Sequence, residues 1–103
     1  MMTRSTSLSH TSALILSTIG AGYRYGFDIM AATGLPSGTV YPALRRLERD
    51  GLIKSEWEQD KDAHAEQRPA RKNYTLSRSG KTTLDDAIER YPLLRQLALA
   101  TRD

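Results

Sequence analysis

The chain has 103 residues and a formal net charge of +3, with a sequence pI of about 9.4, and its length fits a single domain. The absence of cysteine excludes a disulfide scaffold, a thiol nucleophile and a zinc site built on thiolates. No apolar run approaches the ~18 residues of a membrane span. We therefore expect a cytoplasmic protein without a cofactor, and its basic balance fits an acidic partner and an ordinary solvated surface equally well.

Two helices are predicted in the first third of the chain. Apolar residues recur at helical spacing over residues 8–19, and Ser7 or Ser9 can cap the start because a serine oxygen accepts the free amide protons of a first turn. A shorter helix is predicted over residues 26–33. Gly34 is placed to end it, since glycine adopts a positive φ at little cost.

A third helix is predicted over residues 38–50. Its apolar residues recur at i, i+4 and i+7 and define one buried stripe, formed by Val40, Leu44 and Leu47. Pro42 has no amide proton, so it is best tolerated in the first turn of a helix. This argument predicts that the helix is capped by Ser37 or Thr39.

Two strands joined by a polar loop follow the third helix. Residues 52–58 and 71–76 alternate between apolar and polar side chains, as half-exposed strands do, and residues 59–70 between them are polar. In the first strand the inward face is predicted to carry Ile53, Ser55 and Trp57. The two segments therefore predict a hairpin with a protruding tip.

The element order predicts a mainly α protein with a small β-hairpin, which is the order of a winged helix-turn-helix domain over residues 8–76. In such a domain the third helix, here about residues 37–50, enters the major groove of DNA, and the wing, here residues 59–72, lies along the backbone. Hydroxyl and guanidinium groups bind base edges and phosphates. The predicted DNA-binding residues are Ser37, Thr39, Tyr41, Arg45, Arg46, Arg49, Arg71 and Lys72. From the residues alone, Tyr41 could equally pack on the core and the arginines could simply be solvated.

A final helix is predicted from Ser77 to about Ala100, capped by Ser77 or Ser79, with a kink or break at Pro92. A helix that extends beyond a three-helix core would leave several large apolar side chains partly exposed. Each side chain that stays in contact with water loses roughly 1.5–3 kcal/mol of burial free energy. A partner helix would cover them. Residues 77–103 are therefore predicted to form a dimerisation helix, with an interface of Leu84, Ile88, Tyr91, Leu94 and Leu97.

Several segments resemble the PadR family of bacterial transcriptional regulators. They are Tyr25 to Ile29, Gly38 to Glu48 (GTVYPALRRLE), Gly51-Leu52-Ile53, Glu56-Trp57, Arg71 to Leu76 (RKNYTL) and Gly80. The resemblance covers roughly residues 10–84 and is to the short-tailed members. It implies a winged helix with a C-terminal dimerisation helix, binding to pseudo-palindromic promoter DNA, repression, and in many members release by a small-molecule effector. Tyr41 and Arg45 match recognition-helix positions, and Arg71 and Lys72 match the basic start of the second wing strand.

Three other functions were weighed against DNA binding. A winged helix that binds protein usually lacks outward basic residues, and Arg45, Arg71 and Lys72 argue against it. A small-molecule receptor with a secondary DNA role would need an apolar cavity at a dimer interface. An enzyme would need a catalytic constellation, and neither the serines nor the two histidines, His10 and His64, form one in the sequence; no metal site is expected either.

Overall fold

The computed structural model describes residues 8–59, 65–67, 69–92 and 96. In this part of the chain the helices and the hairpin follow in the order α1 (His10–Gly20), α2 (Gly26–Thr33), α3 (Ser37–Arg49), β1 (Ile53–Trp57), β2 (Lys72–Leu76) and α4 (Arg78–Arg90). The predicted fold class, mainly α with a two-stranded hairpin in a winged helix arrangement, is confirmed.

The first two helices begin and end through the local interactions that their sequences predict. Ser9 caps α1, and its side-chain oxygen accepts a hydrogen bond from the Ser12 amide at 3.1 Å. Gly34 ends α2 with a φ of 74°, and its N–H donates to the Met30 carbonyl at 2.8 Å. A short turn at Leu35 and Pro36 then leads directly into α3.

Helix α3 begins at Ser37, within the predicted range of about residues 37–50, but the predicted cap is wrong, because neither Ser37 nor Thr39 caps the helix. The N-cap is Pro36, whose extended backbone carbonyl accepts from the amides of Thr39 and Val40 at 2.9 and 3.0 Å. Pro42 therefore lies inside the helix, beyond its first turn. Its missing N–H leaves the Gly38 carbonyl without an intrahelical donor, and because Gly38 is exposed, water can take that place.

The hairpin is antiparallel, and its register pairs Ile53 with Leu76 at one end and Trp57 with Lys72 at the other. Ile53 is buried against the helices, whereas Trp57, on the same face of β1, is 64% exposed. The face of the hairpin that packs on the core at Ile53 is thus no longer covered by it at Trp57. A single bridge between Tyr25 and Asn73 attaches the segment before α2 to the free side of β2.

The core is built by α1, α2, α3, the hairpin and α4 together. Its fully buried large side chains are Ile15, Leu16, Ile29, Val40 and Leu44. The expectation that Leu84 would be left partly exposed is wrong, because it is 8% exposed and packs in this core close to Gly20 and Leu76. The first turns of α4 therefore complete the winged helix core.

Helix α4 is tied to the start of β1 at its N-terminus. Ser77 caps it by accepting from the Gly80 amide at 2.9 Å, and the Ser77 hydroxyl donates to the Gly51 carbonyl at 2.6 Å. The helix ends at Arg90, and Tyr91 leaves the helical region with φ −115° and ψ 102°, as a residue before proline tends to do. The predicted break at Pro92 is confirmed. The predicted continuation to about Ala100, with Leu94 and Leu97, lies outside the described residues.

Candidate nucleic-acid interface

Helix α3 presents a polar, basic face opposite its buried stripe. Val40, Ala43, Leu44 and Leu47 face the core, which confirms the predicted stripe and adds Ala43. The opposite face carries exposed Ser37, Arg45, Arg46 and Arg49, with Thr39 half-buried at its edge. The guanidinium Nε of Arg49 lies 3.2 Å from Asp50 Oδ1, a pair exposed to solvent and weak for that reason. Arg45 and Arg46 carry no such acidic partner among the described ion pairs.

Tyr41 packs on the start of α2, as one of the two alternatives had it, and still reaches solvent. Its side chain is 37% exposed. A Cβ placed on Gly26 would lie 2.5 Å from the Tyr41 hydroxyl oxygen, so the ring occupies space that only a glycine leaves free. The tyrosine is thereby held between α2 and α3, with its exposed part on the same side as Arg45.

A groove of about 380 Å³ separates α2 and α3 from the wing. Five aromatic residues line it together with the two predicted wing cations, and two of these aromatics are strongly exposed, Phe27 at 71% and Trp57 at 64%. The groove is lined by Tyr25, Gly26, Phe27, Tyr41, Trp57, Ala70, Arg71, Lys72 and Tyr74. The structure thus brings Tyr41 close to Arg71 and Lys72, although Tyr41 lies 30 residues before Arg71 in the sequence.

The two wing cations are held differently. The guanidinium carbon of Arg71 lies 3.8 Å from the ring centroid of Tyr25, and its Nη2 is 3.9 Å from Glu58 Oε2. The ammonium of Lys72 lies 5.6 Å from the ring centroid of Trp57, a longer contact on a more exposed ring. Lys72 is therefore freer than Arg71 to reach an external anion.

Acidic groups near the basic face are engaged within the protein. Glu48, half-buried on α3, accepts from the Ser55 hydroxyl at 2.5 Å. Burial, together with the negative charge of Glu48, raises the pKa of Tyr74 above its ordinary value. Tyr74 therefore stays a neutral phenol in the floor of the groove, and the surface around it keeps its positive charge.

Tyr25, Phe27 and Trp57 line the groove but were not among the residues predicted to bind DNA. Tyr25 and Phe27 lie in the Tyr25 to Ile29 segment, whose similarity to the family pattern could have drawn attention to them. Their association with the wing depends on the Tyr25–Asn73 bridge, which no local pattern predicts. Trp57 alternates correctly with Ile53, and only the three-dimensional extent of the core reveals that it is exposed.

The predicted dimer residues that are described lie on α4 and just after it. Ile88 is half-buried and packs against the core. The Tyr91 hydroxyl donates to the Leu8 carbonyl at 3.1 Å, and its ring lies 4.4 Å from that of His10. Both residues thus make contacts within one protomer and retain partial exposure.

Within the described part of the chain, histidine and acidic residues form no group of three or more that could hold a metal ion. None of the helices in that part has the length and apolar character needed to cross a bilayer.

The helix-turn-helix, the basic face of α3 and the hairpin beside it define a winged helix protein of the kind found in transcriptional regulators. A model of the transcriptional regulator PadR-like family matches residues 15–86. The chain belongs to this family, and the resemblance noted in the sequence is confirmed. No curated protein sequence matches the chain significantly.

Similar solved structures come from several bacteria. A PadR family transcription regulator from Clostridium difficile R20291 is 26% identical, with a TM-score of 0.71 over 86% of this chain and 94% of that one. A PadR-like transcription factor from Bacteroides fragilis is also 26% identical, with a TM-score of 0.67 over 86% of each chain. A probable transcriptional regulator from Pseudomonas aeruginosa shares the fold, at 21% identity and a TM-score of 0.68 over 93% of this chain and 68% of that one.

Proposed function

We propose that this protein is a dimeric repressor that binds double-stranded promoter DNA in the cytoplasm. The observation that carries the proposal is that Tyr41 on α3 meets Arg71 and Lys72 on the wing around one open groove, while Arg45 is exposed on the outward side of the same helix. Cationic and hydroxyl groups on two elements can follow a curved polyanion, which a single solvated helix face cannot do.

In the proposed complex, α3 enters the major groove, which is ~12 Å wide. Arg45 projects from its outward face and is placed to reach a base edge, where a guanidinium binds guanine in bidentate fashion. Gly38 and Pro42 share that face and present no long side chain, so the helix backbone can approach the bases closely. Ser37, Thr39, Arg46 and Arg49 flank it and would bind phosphates.

The wing would lie along the neighbouring backbone. Lys72 would neutralise a phosphate. The Tyr41 hydroxyl would point to the same DNA strand from the opposite side of the groove in the protein. Gly26 and Phe27 at the start of α2 line this groove as well, and this helix start has no side-chain cap. Arg71 belongs to this basic set as well.

Dimerisation through the C-terminal region, with Leu84, Ile88, Tyr91, Leu94 and Leu97 as the proposed interface, would present two copies of α3 about one DNA turn apart, ~34 Å. Because Leu84 is already buried within the protomer, Ile88 and Tyr91 are the described residues best placed to touch a partner helix. A bound dimer would block access to the promoter. Release by a small-molecule effector remains a prediction that rests on the family.

The proposal is tested by titrating the purified protein with duplex DNA at several salt concentrations, beside the charge reversal Arg45→Glu. Lys81→Glu is the matched control, since Lys81 is exposed on α4, a helix that packs mainly on α1 and β2. We expect steep salt dependence for the wild type, loss of binding for Arg45→Glu and a small effect of Lys81→Glu. Equal effects of the two reversals would contradict recognition by α3 and favour a winged helix that binds another partner.

A further inference from the structure

The wing is closed at its base by Arg71 and Glu58, which pair through both backbone and side chains. The Glu58 amide donates to the Arg71 carbonyl at 2.8 Å, and the Arg71 amide donates to Glu58 Oε1 at 3.2 Å. The Arg71 Nη2 lies 3.9 Å from the other carboxylate oxygen. These contacts lie just outside the regular strands and fix the point at which the wing loop leaves the hairpin.

The other side of Arg71 is covered by Tyr25. The guanidinium carbon lies over that ring, 3.8 Å from its centroid, and the Arg71 Nε is buried without a hydrogen-bond partner among the described residues. Its side chain is 38% exposed. The guanidinium thus has one face on an aromatic ring and one edge toward a carboxylate.

Tyr25 is itself part of the start of α2. It is the residue immediately before the helix, it forms the bridge to Asn73, and its neighbour Arg24 accepts from the Tyr74 amide at 2.7 Å. The contact between Arg71 and Tyr25 therefore joins the wing to the N-terminus of α2 across the proposed DNA groove.

We propose that Arg71 is a positioning residue, which pins the wing to Tyr25 so that Lys72 and the start of α2 meet the same DNA backbone. This inference rests on the proposed DNA binding and assigns Arg71 a role different from that of a phosphate contact. The planar guanidinium is required because it can stack on the ring and face Glu58 together. A lysine keeps the charge without this geometry.

The test compares Arg71→Lys with Arg71→Ala in DNA affinity. A positioning role predicts that both lose affinity to a similar extent, on the order of tenfold, because both lose the stacked plane. It also predicts that Tyr25→Leu behaves like Arg71→Lys, whereas Tyr25→Phe, which keeps the ring, binds as the wild type does.

Double variants distinguish a positioning role of Arg71 from a general loss of structure. In the Arg71→Lys background, Lys72→Ala should cost less than about twofold because the wing contact is already lost, whereas Arg45→Ala should cost the same as in the wild type. Near-wild-type binding by Arg71→Lys, or an undiminished effect of Lys72→Ala, would overturn the proposal and make Arg71 a charge contact.

Failure of DNA binding itself is distinguishable. If the wild type binds no DNA, the proposed function fails, and amide hydrogen exchange then decides the role of Arg71. Pinning predicts that Arg71→Lys accelerates exchange at the Glu58 and Tyr74 amides while amides inside α1 exchange at the wild-type rate. Unchanged exchange at Glu58 and Tyr74, or acceleration throughout the chain, would contradict it.

Discussion

The ring of Tyr41 fills the space left by the missing side chain of Gly26. A Cβ on Gly26 would lie 2.5, 2.6 and 2.8 Å from the hydroxyl oxygen and two ring carbons of Tyr41, closer than native Cβ contacts come. The first residue of α2 thereby sets the position of a tyrosine on the proposed recognition helix. Two elements that meet DNA in the proposed complex are thus fixed relative to each other by one close approach.

Gly26→Ala is therefore expected to lower the free energy of unfolding by roughly 1–3 kcal/mol, the usual cost of overpacking, and to weaken DNA binding. The double variant Gly26→Ala/Tyr41→Ala should be no less stable than Tyr41→Ala alone, because the clash is then absent. Denaturant unfolding measures the stability of the single and double variants. Gly38→Ala is the matched control for stability, since a Cβ there meets nothing within 4 Å. Full stability of Gly26→Ala would disprove the packing argument.

Arg45→Ala is expected to cost about 1–3 kcal/mol of binding free energy and to relax base preference at one position of each half-site, as the loss of a base-edge contact does. Binding is measured against a set of duplexes that differ at single base pairs, with Lys81→Ala as the charge-matched control. If affinity falls equally for every duplex, Arg45 contacts a phosphate and its proposed role in specificity is wrong.

Most of the fold could be predicted because its signals are local. The capping serine before α1, the glycine after α2, the apolar stripe of α3 and the alternation in the strands each depend on a few neighbouring residues. The capping residue of α3 was not predicted, because Pro36 caps the helix through its backbone and a search for capping side chains cannot detect it. The burial of Leu84 and the stacking of Arg71 on Tyr25 depend on contacts between distant segments, which no local pattern encodes.

Lys72→Ala is expected to weaken binding to all sequences alike. It should also reduce the slope of log affinity against log salt by about 0.9, the value for one phosphate contact. Fluorescence anisotropy of labelled duplex across a salt series gives the slope, and Lys81→Ala should leave it unchanged. A wild-type slope in Lys72→Ala would remove this residue from the interface.

Ile88→Asp is expected to convert the proposed dimer to monomers, because the apolar dimer interface offers no partner for a buried carboxylate. Light scattering coupled to size exclusion gives the mass. Since Ile88 also packs against its own core, circular dichroism must establish that the variant remains helical. A helical variant that still elutes as a dimer would place the interface elsewhere.

The raised pKa of Tyr74 makes a prediction at alkaline pH. The folded state holds this proton more tightly than the unfolded state, so the stabilisation is complete below the ordinary tyrosine pKa and is lost as pH rises through the higher value in the folded protein. Tyr74→Phe should reduce the fall in unfolding free energy above about pH 10, near the unperturbed tyrosine pKa. Parallel pH profiles for the two proteins would contradict this cause.

Selection from a library of randomised duplexes tests sequence-specific DNA binding by a dimer most directly. The purified full chain would be carried through several rounds at moderate salt and the retained DNA sequenced, with Arg45→Glu treated in parallel. The account predicts enrichment of a pseudo-palindrome whose half-sites lie about one helical turn apart, ~34 Å, and no such enrichment by Arg45→Glu. Retained DNA with no shared sequence, or the same motif from both proteins, would contradict it.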